Sequence, residues 1–173
     1  MAGRTYVHSR VYQVLVDSYA ALEKTAAGKH FVYGETGLES GGAFRPHKTH
    51  QNGLSVDFFV PVLNAQGDSV SLPIGVFNKL GYNIEFDGKG QFETLQIDFE
   101  SMAKHLLEIK RAADKHGVGI RVVIFDNAYQ KKLIATPTGK TLPAKIRFSV
   151  KKPWVRHDEH YHVDFVVKCA EQR

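Results

Sequence analysis

The chain has 173 residues, of which 43% are hydrophobic and 24% are charged, a composition typical of a one-domain soluble protein. No stretch approaches the roughly 18 apolar residues of a membrane-spanning helix, and the start lacks the apolar core of a classical signal peptide. The net charge of +5 favours anionic partners, and the single cysteine, Cys169, excludes an internal disulfide and a multi-cysteine zinc site. We therefore expect one domain over residues 1–173, without membrane insertion.

The first predicted element is a helix from Arg10 to Ala27. Ser9 suits its N-cap because a serine hydroxyl can accept a hydrogen bond from the first turn, and Gly28 suits its end because glycine readily adopts a left-handed conformation. Apolar residues recur with helical spacing at Val11, Val14, Leu15 and Leu22. This side of the helix is predicted to pack against the core.

Two long segments, Gly34–Phe44 and Leu63–Gln96, are predicted as loops that could wall a cleft. A second helix is predicted after them, with Asp98 as its N-cap, Glu100 in its first turn and Gly117 at its end. Its buried stripe is predicted to consist of Ile97, Met102, Leu106, Leu107, Ile109 and Ala113.

Four runs rich in Val, Ile and Phe are predicted as strands: Ser55–Val60, Gly119–Phe125, Lys145–Val150 and Tyr161–Lys168. Because strands and helices are partly segregated along the chain, the pattern favours an α+β fold over a doubly wound parallel one. We expect a mostly antiparallel central sheet flanked by helices. A cleft on this sheet is the expected place for a zinc site.

Five of the nine histidines fall in two short windows, "HKTHQNGLSVD" and "RHDEHYHVDF". His160 and His162 are two positions apart on a predicted strand, so both point to one face of the sheet. Asp57 lies in an apolar run, where a lone carboxylate is costly unless it is paired or bound to a cation. His50 and Asp57, together with a histidine of the second window, have the composition of a catalytic zinc site with one open position.

Other interpretations of these residues are weaker. A single histidine is more often a hydrogen-bonded structural residue than a ligand, but five histidines and an aspartate in two windows favour a metal site. A cupin site would need a glutamate soon after the His-x-His, where the chain has "VDFVVK", and the Gly-x-Ser-x-Gly elbow of serine hydrolases is absent. Cys169 is interpreted as a small buried hydrophobic residue rather than a nucleophile.

The segments "PHKTHQNGLSVDFF" and "WVRHDEHYHVDF" resemble those of the penicillin-insensitive murein endopeptidases, zinc peptidases of the lysostaphin, D-Ala-D-Ala peptidase and hedgehog superfamily. The superfamily has a histidine, an aspartate seven positions later and a distant His-x-His, matched here by His50, Asp57, His160 and His162. The segment "GVGIRVVIFDNAYQKKLI", with Asn127 in a turn after a strand, extends the resemblance to most of the chain. The chain departs from the family pattern at Ser55, where the family usually has an acidic residue.

The resemblance implies a catalytic centre. One zinc ion per chain would be held by two histidines and an aspartate, namely His50, Asp57 and His162. A water would take the fourth position and be activated by the ion, as in other catalytic zinc sites. His160, on the same face as His162, would act as the base.

Other residues near the centre have less defined roles. By resemblance, His47 and His157 line the cleft, where they either donate hydrogen bonds to the oxyanion or the substrate, or support the ligands. Strand alternation predicts that Glu159 faces away from the metal, whereas Asp158 shares the parity of His160 and could orient an imidazole. Arg45 could bind a substrate carboxylate, although an arginine beside a cleft is more often a surface residue.

These features give three hypotheses. The first is a zinc-dependent murein endopeptidase that cuts peptide cross-links of peptidoglycan, with the bond between D-alanine and meso-diaminopimelate implied by the resemblance alone. The second is a D-Ala-D-Ala carboxypeptidase or dipeptidase with the same zinc site. The third is a metal-containing module that binds cell wall or nucleic acid and does no chemistry.

The first hypothesis implies bacterial peptidoglycan as the partner, and no nucleic acid is expected. An inhibitor or a secretion-system protein is a possible further partner. It places the activity in the periplasm or the cell wall. Because no signal peptide is recognised, we expect export by a non-classical route, release by lysis, or a chain presented without its leader.

Overall fold

A computed structural model of the protein describes residues 3–43, 45, 47, 49–150 and 155–168. Within them the helices are α1 (Ser9–Thr25), α2 (Phe99–Lys115) and α3 (Asn127–Ala135), and 3₁₀ segments occur at Val76–Gly81 and Gly139–Ala144. The strands are β1 (Val32–Tyr33), β2 (Ser55–Phe59), β3 (Val62–Leu63), β4 (Ser69–Val70), β5 (Gln91–Phe92), β6 (Leu95–Ile97), β7 (Gly119–Ile124) and β8 (His160–Val166). Cys169 lies outside the described residues.

The main sheet has the strand order β1-β2-β8-β7, and every neighbouring pair is antiparallel. The register between β2 and β8 pairs Asp57 with His162 and Phe58 with Tyr161. Since side chains alternate between faces, β2 and β8 present one apolar face and one polar face. The prediction of an α+β fold with a mostly antiparallel sheet is confirmed.

The apolar face of the sheet belongs to the hydrophobic core, which it shares with the helices. The Phe58 ring stacks on Tyr161 with 5.5 Å between centroids and meets His105 of α2 edge-on at 4.8 Å. Helix α2 contributes Met102 and Leu106 to the same core, and α1 packs along α2. Burial of each such side chain stabilises the fold by about 1.5–3 kcal/mol, so this face anchors the sheet.

Helix α1 forms where it was predicted, but its ends differ. Its predicted apolar side is buried, comprising Val11, Val14, Leu15 and Leu22. The N-cap is His8 rather than Ser9, because His8 Nδ1 accepts a hydrogen bond from the Arg10 amide at 3.2 Å. The helix ends at Thr25, three residues before Gly28, which has a φ of +72°.

Helix α2 begins after Asp98, as predicted, because the Asp98 carboxylate accepts a hydrogen bond from the Ser101 amide at 3.0 Å. Two members of its predicted buried stripe differ from expectation. Ile97 lies in β6, and Leu107 is only partly buried. Asn127, expected in a turn after the strand, is instead the first residue of α3, whose N-cap is Asp126.

The segment Leu63–Gln96, predicted as a loop, contains most of a second sheet of short strands with the order β4-β3-β6-β5, which lie near the two ends of the segment. Its strands are two or three residues long. Such short strands show no detectable alternation in the sequence, because periodicity becomes visible only over about four to eight residues.

The predicted strand Lys145–Val150 is wrong. Only Phe148 forms a bridge, to Val123 of β7, and it is parallel. The amides of Lys145 and Ile146 both bond to the Leu142 carbonyl at 2.8 Å, so the preceding 3₁₀ turn uses the groups that a ladder would need.

None of the described helices combines the length and apolar character required to cross a bilayer.

The buried His105 makes the stability of the fold depend on pH. Its Nδ1 is hydrogen-bonded to the Tyr161 hydroxyl, and burial lowers the pKa of His105 from 6.5 to about 3. The unfolded chain therefore binds a proton at His105 below pH 6.5 while the folded chain does not. The contribution of a neutral His105 to the free energy of unfolding is fully present above pH 6.5. It falls by about 1.4 kcal/mol per pH unit as the pH decreases toward 3.

Urea unfolding of metal-free protein, compared between the wild type and His105→Gln, measures this contribution. The free-energy difference between the two proteins should narrow as the pH falls from 7 to 4, by about 1.4 kcal/mol per unit. Parallel pH curves for the two proteins would show that His105 is not held neutral.

Candidate metal centre and active site

The polar face of the main sheet brings Asp57 and His162 into direct contact. They are cross-strand partners on β2 and β8, so both side chains leave the sheet on the same side. His162 Nδ1 lies 2.8 Å from Asp57 Oδ1. Asp57 is 1% exposed and His162 4%, so the pair is withdrawn from water.

His50 reaches this pair from the loop before β2. Its backbone has a φ of +64°, a left-handed conformation that is uncommon for residues other than glycine and often marks functional sites. His50 Nε2 lies 3.1 Å from His162 Nδ1 and 3.3 Å from Asp57 Oδ1. Two atoms from neighbouring parts of the chain and one from the distant strand β8 thus meet within 3.3 Å of one another.

The outer nitrogen of each imidazole is bound to an acceptor. His50 Nδ1 donates to the Thr36 carbonyl at 2.7 Å, and His162 Nε2 donates to Asp164 Oδ1 at 2.8 Å. In neutral imidazoles the inner nitrogens then carry lone pairs, which face each other and the Asp57 oxygen. This convergence of electron pairs requires a proton or a cation between them, and the outer hydrogen bonds match those that orient metal-binding histidines.

The charges of the centre support one another in the metal-free protein. Burial opposes an imidazolium, but hydrogen bonds to Asp164 and Asp57 raise the pKa of His162 to about 9. Burial also opposes the Asp57 carboxylate, yet His160, His162 and His50 hold its pKa well below the usual range. Asp57 is therefore ionised at neutral pH and attracts positive charge.

His47 lies next to His50. His47, His50 and Asp57 offer three ligand atoms that lie within 4.8 Å of one another, and this group could hold a metal ion. The His47 and His50 rings meet edge-on with centroids 5.0 Å apart, and His47 Nε2 lies 3.1 Å from Glu35 Oε2. Two ligand combinations therefore share His50 and Asp57 and differ in whether His47 or His162 completes them.

His160 lies on the same face of the sheet as His162, two residues earlier in β8. Its Nδ1 lies 2.9 Å from Glu159 Oε1, and its Nε2 lies 3.9 Å from Asp57 Oδ2. The two carboxylates before β8 have different partners. Glu159, which precedes the strand, bonds His160, whereas Asp158 accepts from the Phe86 amide at 2.6 Å.

His157 lies beside His160, with ring centroids 4.5 Å apart. Its Nδ1 donates to the Val155 carbonyl at 2.8 Å. Burial, followed by the charge on His160, lowers the pKa of His157 to about 4, so His157 is neutral at neutral pH. Its Nε2 then carries a lone pair and can only accept a hydrogen bond. Arg45, the remaining residue considered from sequence, is exposed.

Four contributors to the centre were not identified from the sequence. They are the Thr36 carbonyl, the Glu35 and Asp164 carboxylates and the Tyr82 hydroxyl, which donates to Asp57 Oδ2 at 3.1 Å. Asp164 could have been found, because it shares the strand parity of His160 and His162. Ser55, the departure from the family pattern, donates to Asp164 Oδ1 at 2.6 Å and so acts on the same carboxylate.

The segment Gly34–Thr36 holds several parts of the centre at once. The Gly34 amide donates to the Asp57 carbonyl at 2.8 Å, and the Asp57 amide donates to the Glu35 carbonyl at 2.9 Å. The Glu35 carboxylate reaches His47, and the Thr36 carbonyl reaches His50. A β-carbon at Gly34 would lie 2.9 Å from the Asp57 carbonyl oxygen, so only glycine fits this close approach.

Gly34→Ala should push this segment away from Asp57 and lower the free energy of unfolding by about 1–3 kcal/mol, the typical cost of forcing extra atoms into a packed site. Gly88→Ala is the matched control, since a β-carbon there meets nothing within 4 Å. Urea denaturation compares the two variants with the wild type. Equal stability of Gly34→Ala and Gly88→Ala would contradict the close packing at Asp57.

The family model described as penicillin-insensitive murein endopeptidase matches residues 2–173. A search of curated proteins found no match. Because the family match extends over the whole chain, including both histidine windows, the protein belongs to the penicillin-insensitive murein endopeptidase family.

Proposed function

We propose that the protein is a zinc-dependent murein endopeptidase that hydrolyses peptide cross-links of peptidoglycan. In this proposal one zinc ion per chain is held by His50, Asp57 and His162, and residues 1–173 form a single peptidase domain. The observation that carries the proposal is the convergence of His50 Nε2, His162 Nδ1 and Asp57 Oδ1 within 3.3 Å of one another on a buried face.

These separations suit a zinc ion. Ligand atoms about 2.0–2.1 Å from a tetrahedral zinc lie about 3.3 Å from one another, and the three observed distances are 2.8, 3.1 and 3.3 Å. Two imidazoles and one carboxylate are also the donor set of catalytic zinc sites that keep one position open. The atoms of the group that contains His47 lie within 4.8 Å of one another. We assign His162 as the third ligand, because its Nδ1 lies 3.1 Å from His50 Nε2 and 2.8 Å from Asp57 Oδ1.

When bound, zinc would lower the pKa of a water to about 7 and polarise the scissile carbonyl. The residues of the chain provide the remaining parts of the reaction. Asp57 supplies negative charge, and the Thr36 carbonyl and Asp164 fix the orientation of the two imidazoles.

His160 is the residue that moves protons in this proposal. Since Glu159 accepts from Nδ1, Nε2 is the atom available toward the site, 3.9 Å from Asp57 Oδ2. His160 would take a proton from the attacking water at Nε2 and deliver it to the leaving amine. Burial opposes its charged form, but Asp57 and Glu159 raise its pKa, which favours uptake of that proton.

His157 and His47 would contact the substrate or support the centre in different ways. A neutral His157 with Nδ1 bound to Val155 can accept a hydrogen bond at Nε2, which suits a substrate N–H rather than an oxyanion. His47, paired with Glu35, can donate through Nε2 to that carboxylate. We assign His157 to substrate orientation and His47 to the cleft wall.

Murein is the substrate class that the family name supports, and it places the activity in the periplasm or cell wall. The net charge of +5 suits an anionic polymer. We take the bond between D-alanine and meso-diaminopimelate as the cleaved bond. A D-Ala-D-Ala carboxypeptidase or dipeptidase could use the same residues, so the products decide between these activities.

Elemental analysis of purified variants tests the ligand assignment. His50→Ala and His162→Ala should lose the zinc that the wild type retains, because each removes one of three ligands. His47→Ala should retain it, because His47 lies outside the closest group. Zinc loss in His47→Ala together with retention in His162→Ala would show that the other ligand combination is correct.

Digestion of purified sacculi, analysed by mass spectrometry of the muropeptides, tests the activity. The wild type should convert cross-linked dimers to monomers, and His160→Ala should keep its zinc but cleave about 10²- to 10⁴-fold more slowly, the usual contribution of a general base. Loss of terminal D-alanine without a decrease in dimers would instead identify a carboxypeptidase. A zinc-loaded protein that binds sacculi and releases no product would identify a binding module.

A further inference from the structure

Tyr82 approaches the centre from the segment between β4 and β5, far from both histidine windows. Its hydroxyl donates to Asp57 Oδ2 at 3.1 Å and accepts from the Glu35 amide at 3.1 Å. Its ring contacts His160 edge-on with centroids 5.0 Å apart and packs on Phe59 at 5.1 Å. The residue is therefore fixed on two sides while its hydroxyl points at the carboxylate.

The two oxygens of Asp57 have different partners. Oδ1 faces His50 and His162, whereas Oδ2 faces the Tyr82 hydroxyl and, at 3.9 Å, His160 Nε2. A carboxylate can rotate and present either oxygen, or both, to a cation. The hydrogen bond from the Tyr82 hydroxyl to Oδ2 holds the Asp57 carboxylate in one rotamer. In this rotamer only Oδ1 is directed toward His50 and His162.

A second partner of the Tyr82 hydroxyl determines which group donates to Asp57. Because the Glu35 amide can only donate, it occupies the oxygen of the hydroxyl and leaves the proton for Asp57. The orientation of this hydrogen bond is thus determined by the backbone of the segment Gly34–Thr36.

We propose that Tyr82 is a positioning residue that fixes the Asp57 carboxylate for metal binding and keeps Oδ2 from pairing with His160. Without the hydroxyl, Oδ2 would be free to rotate toward His160 Nε2, 3.9 Å away. Once Nε2 carries the proton taken from the water, pairing with Oδ2 would hold that proton and hinder its transfer to the leaving amine. The inference rests on the proposed metal site. It does not depend on which peptide bond is cut.

The test uses Tyr82→Phe, which keeps the ring against Phe59 and removes only the hydroxyl. Tyr33→Phe is the matched control, because the Tyr33 hydroxyl donates to the Thr5 carbonyl at 3.3 Å and, among the contacts of the described residues, does not reach Asp57. Zinc affinity is measured for both variants and the wild type by competition with a chromophoric chelator. Loss of a group that orients a ligand typically weakens metal binding by about 10- to 100-fold.

We expect Tyr82→Phe to bind zinc about 10- to 100-fold more weakly than the wild type, and Tyr33→Phe to bind as the wild type does. At saturating zinc, Tyr82→Phe should show a lower kcat with little change in KM for a cross-linked muropeptide. Unchanged zinc affinity would overturn the inference. A raised KM with unchanged zinc affinity would show that Tyr82 binds the substrate instead.

Thermal unfolding of the metal-free variants separates positioning from folding. The metal-free forms of Tyr82→Phe and Tyr33→Phe should unfold at similar temperatures, so that only the metal-loaded forms differ. A much lower unfolding temperature for metal-free Tyr82→Phe alone, with unchanged zinc affinity, would show that Tyr82 has only a structural role. If the wild type binds zinc but cleaves no muropeptide, the proposed function fails, while the affinity ratio of Tyr82→Phe to wild type still decides the role of Tyr82.

Discussion

The pairing of Asp57 with His162 across β2 and β8 determines the rest of the centre. A carboxylate that is 1% exposed loses its hydration, and such a loss is tolerated only when hydrogen bonds and opposite charge replace water. His50, His160 and Tyr82 all direct polar atoms at this one carboxylate. The antiparallel register places the pair, and the surrounding loops compensate its charge.

The segment Gly34–Thr36 connects these compensating groups. It continues the backbone pairing of β1 with β2 as far as Asp57, so its carbonyls and amides are held at fixed distances from the carboxylate. Its backbone orients His50 through the Thr36 carbonyl and Tyr82 through the Glu35 amide, and the Glu35 carboxylate contacts His47. A change in this segment would therefore alter several partners of the centre together, although it contributes no ligand of its own.

The sequence predicted the components of the site better than their connections. Strand parity placed His160 and His162 on one face, and the apolar run around Asp57 indicated a buried carboxylate that needs a partner; the structure places all three on that face. The parity rule gave no indication that Glu159, which precedes β8, bonds the neighbouring His160. Alternation describes a regular strand and does not extend into the bend before it.

The remaining contributors depend on tertiary structure that has no local signal. Tyr82 is one of seven tyrosines and lies in a segment whose strands are too short to show a period. The Thr36 carbonyl is a backbone group, so its role depends on loop geometry and not on the identity of the side chain. Helix α3 begins where Asp126 caps it, and the segment Lys145–Val150 is not a strand because its first amides bond to a 3₁₀ turn. Such local hydrogen bonds compete with the intrinsic preferences of the residues.

A crystal structure of the zinc-loaded protein, with anomalous diffraction at the zinc edge, tests the central claim most directly. The account predicts one anomalous peak about 2.0–2.1 Å from His50 Nε2, His162 Nδ1 and Asp57 Oδ1, with Thr36 and Asp164 still bound to the outer nitrogens. A peak on His47 with His162 unliganded, or a centre in which Asp57 has rotated away from His162, would contradict it.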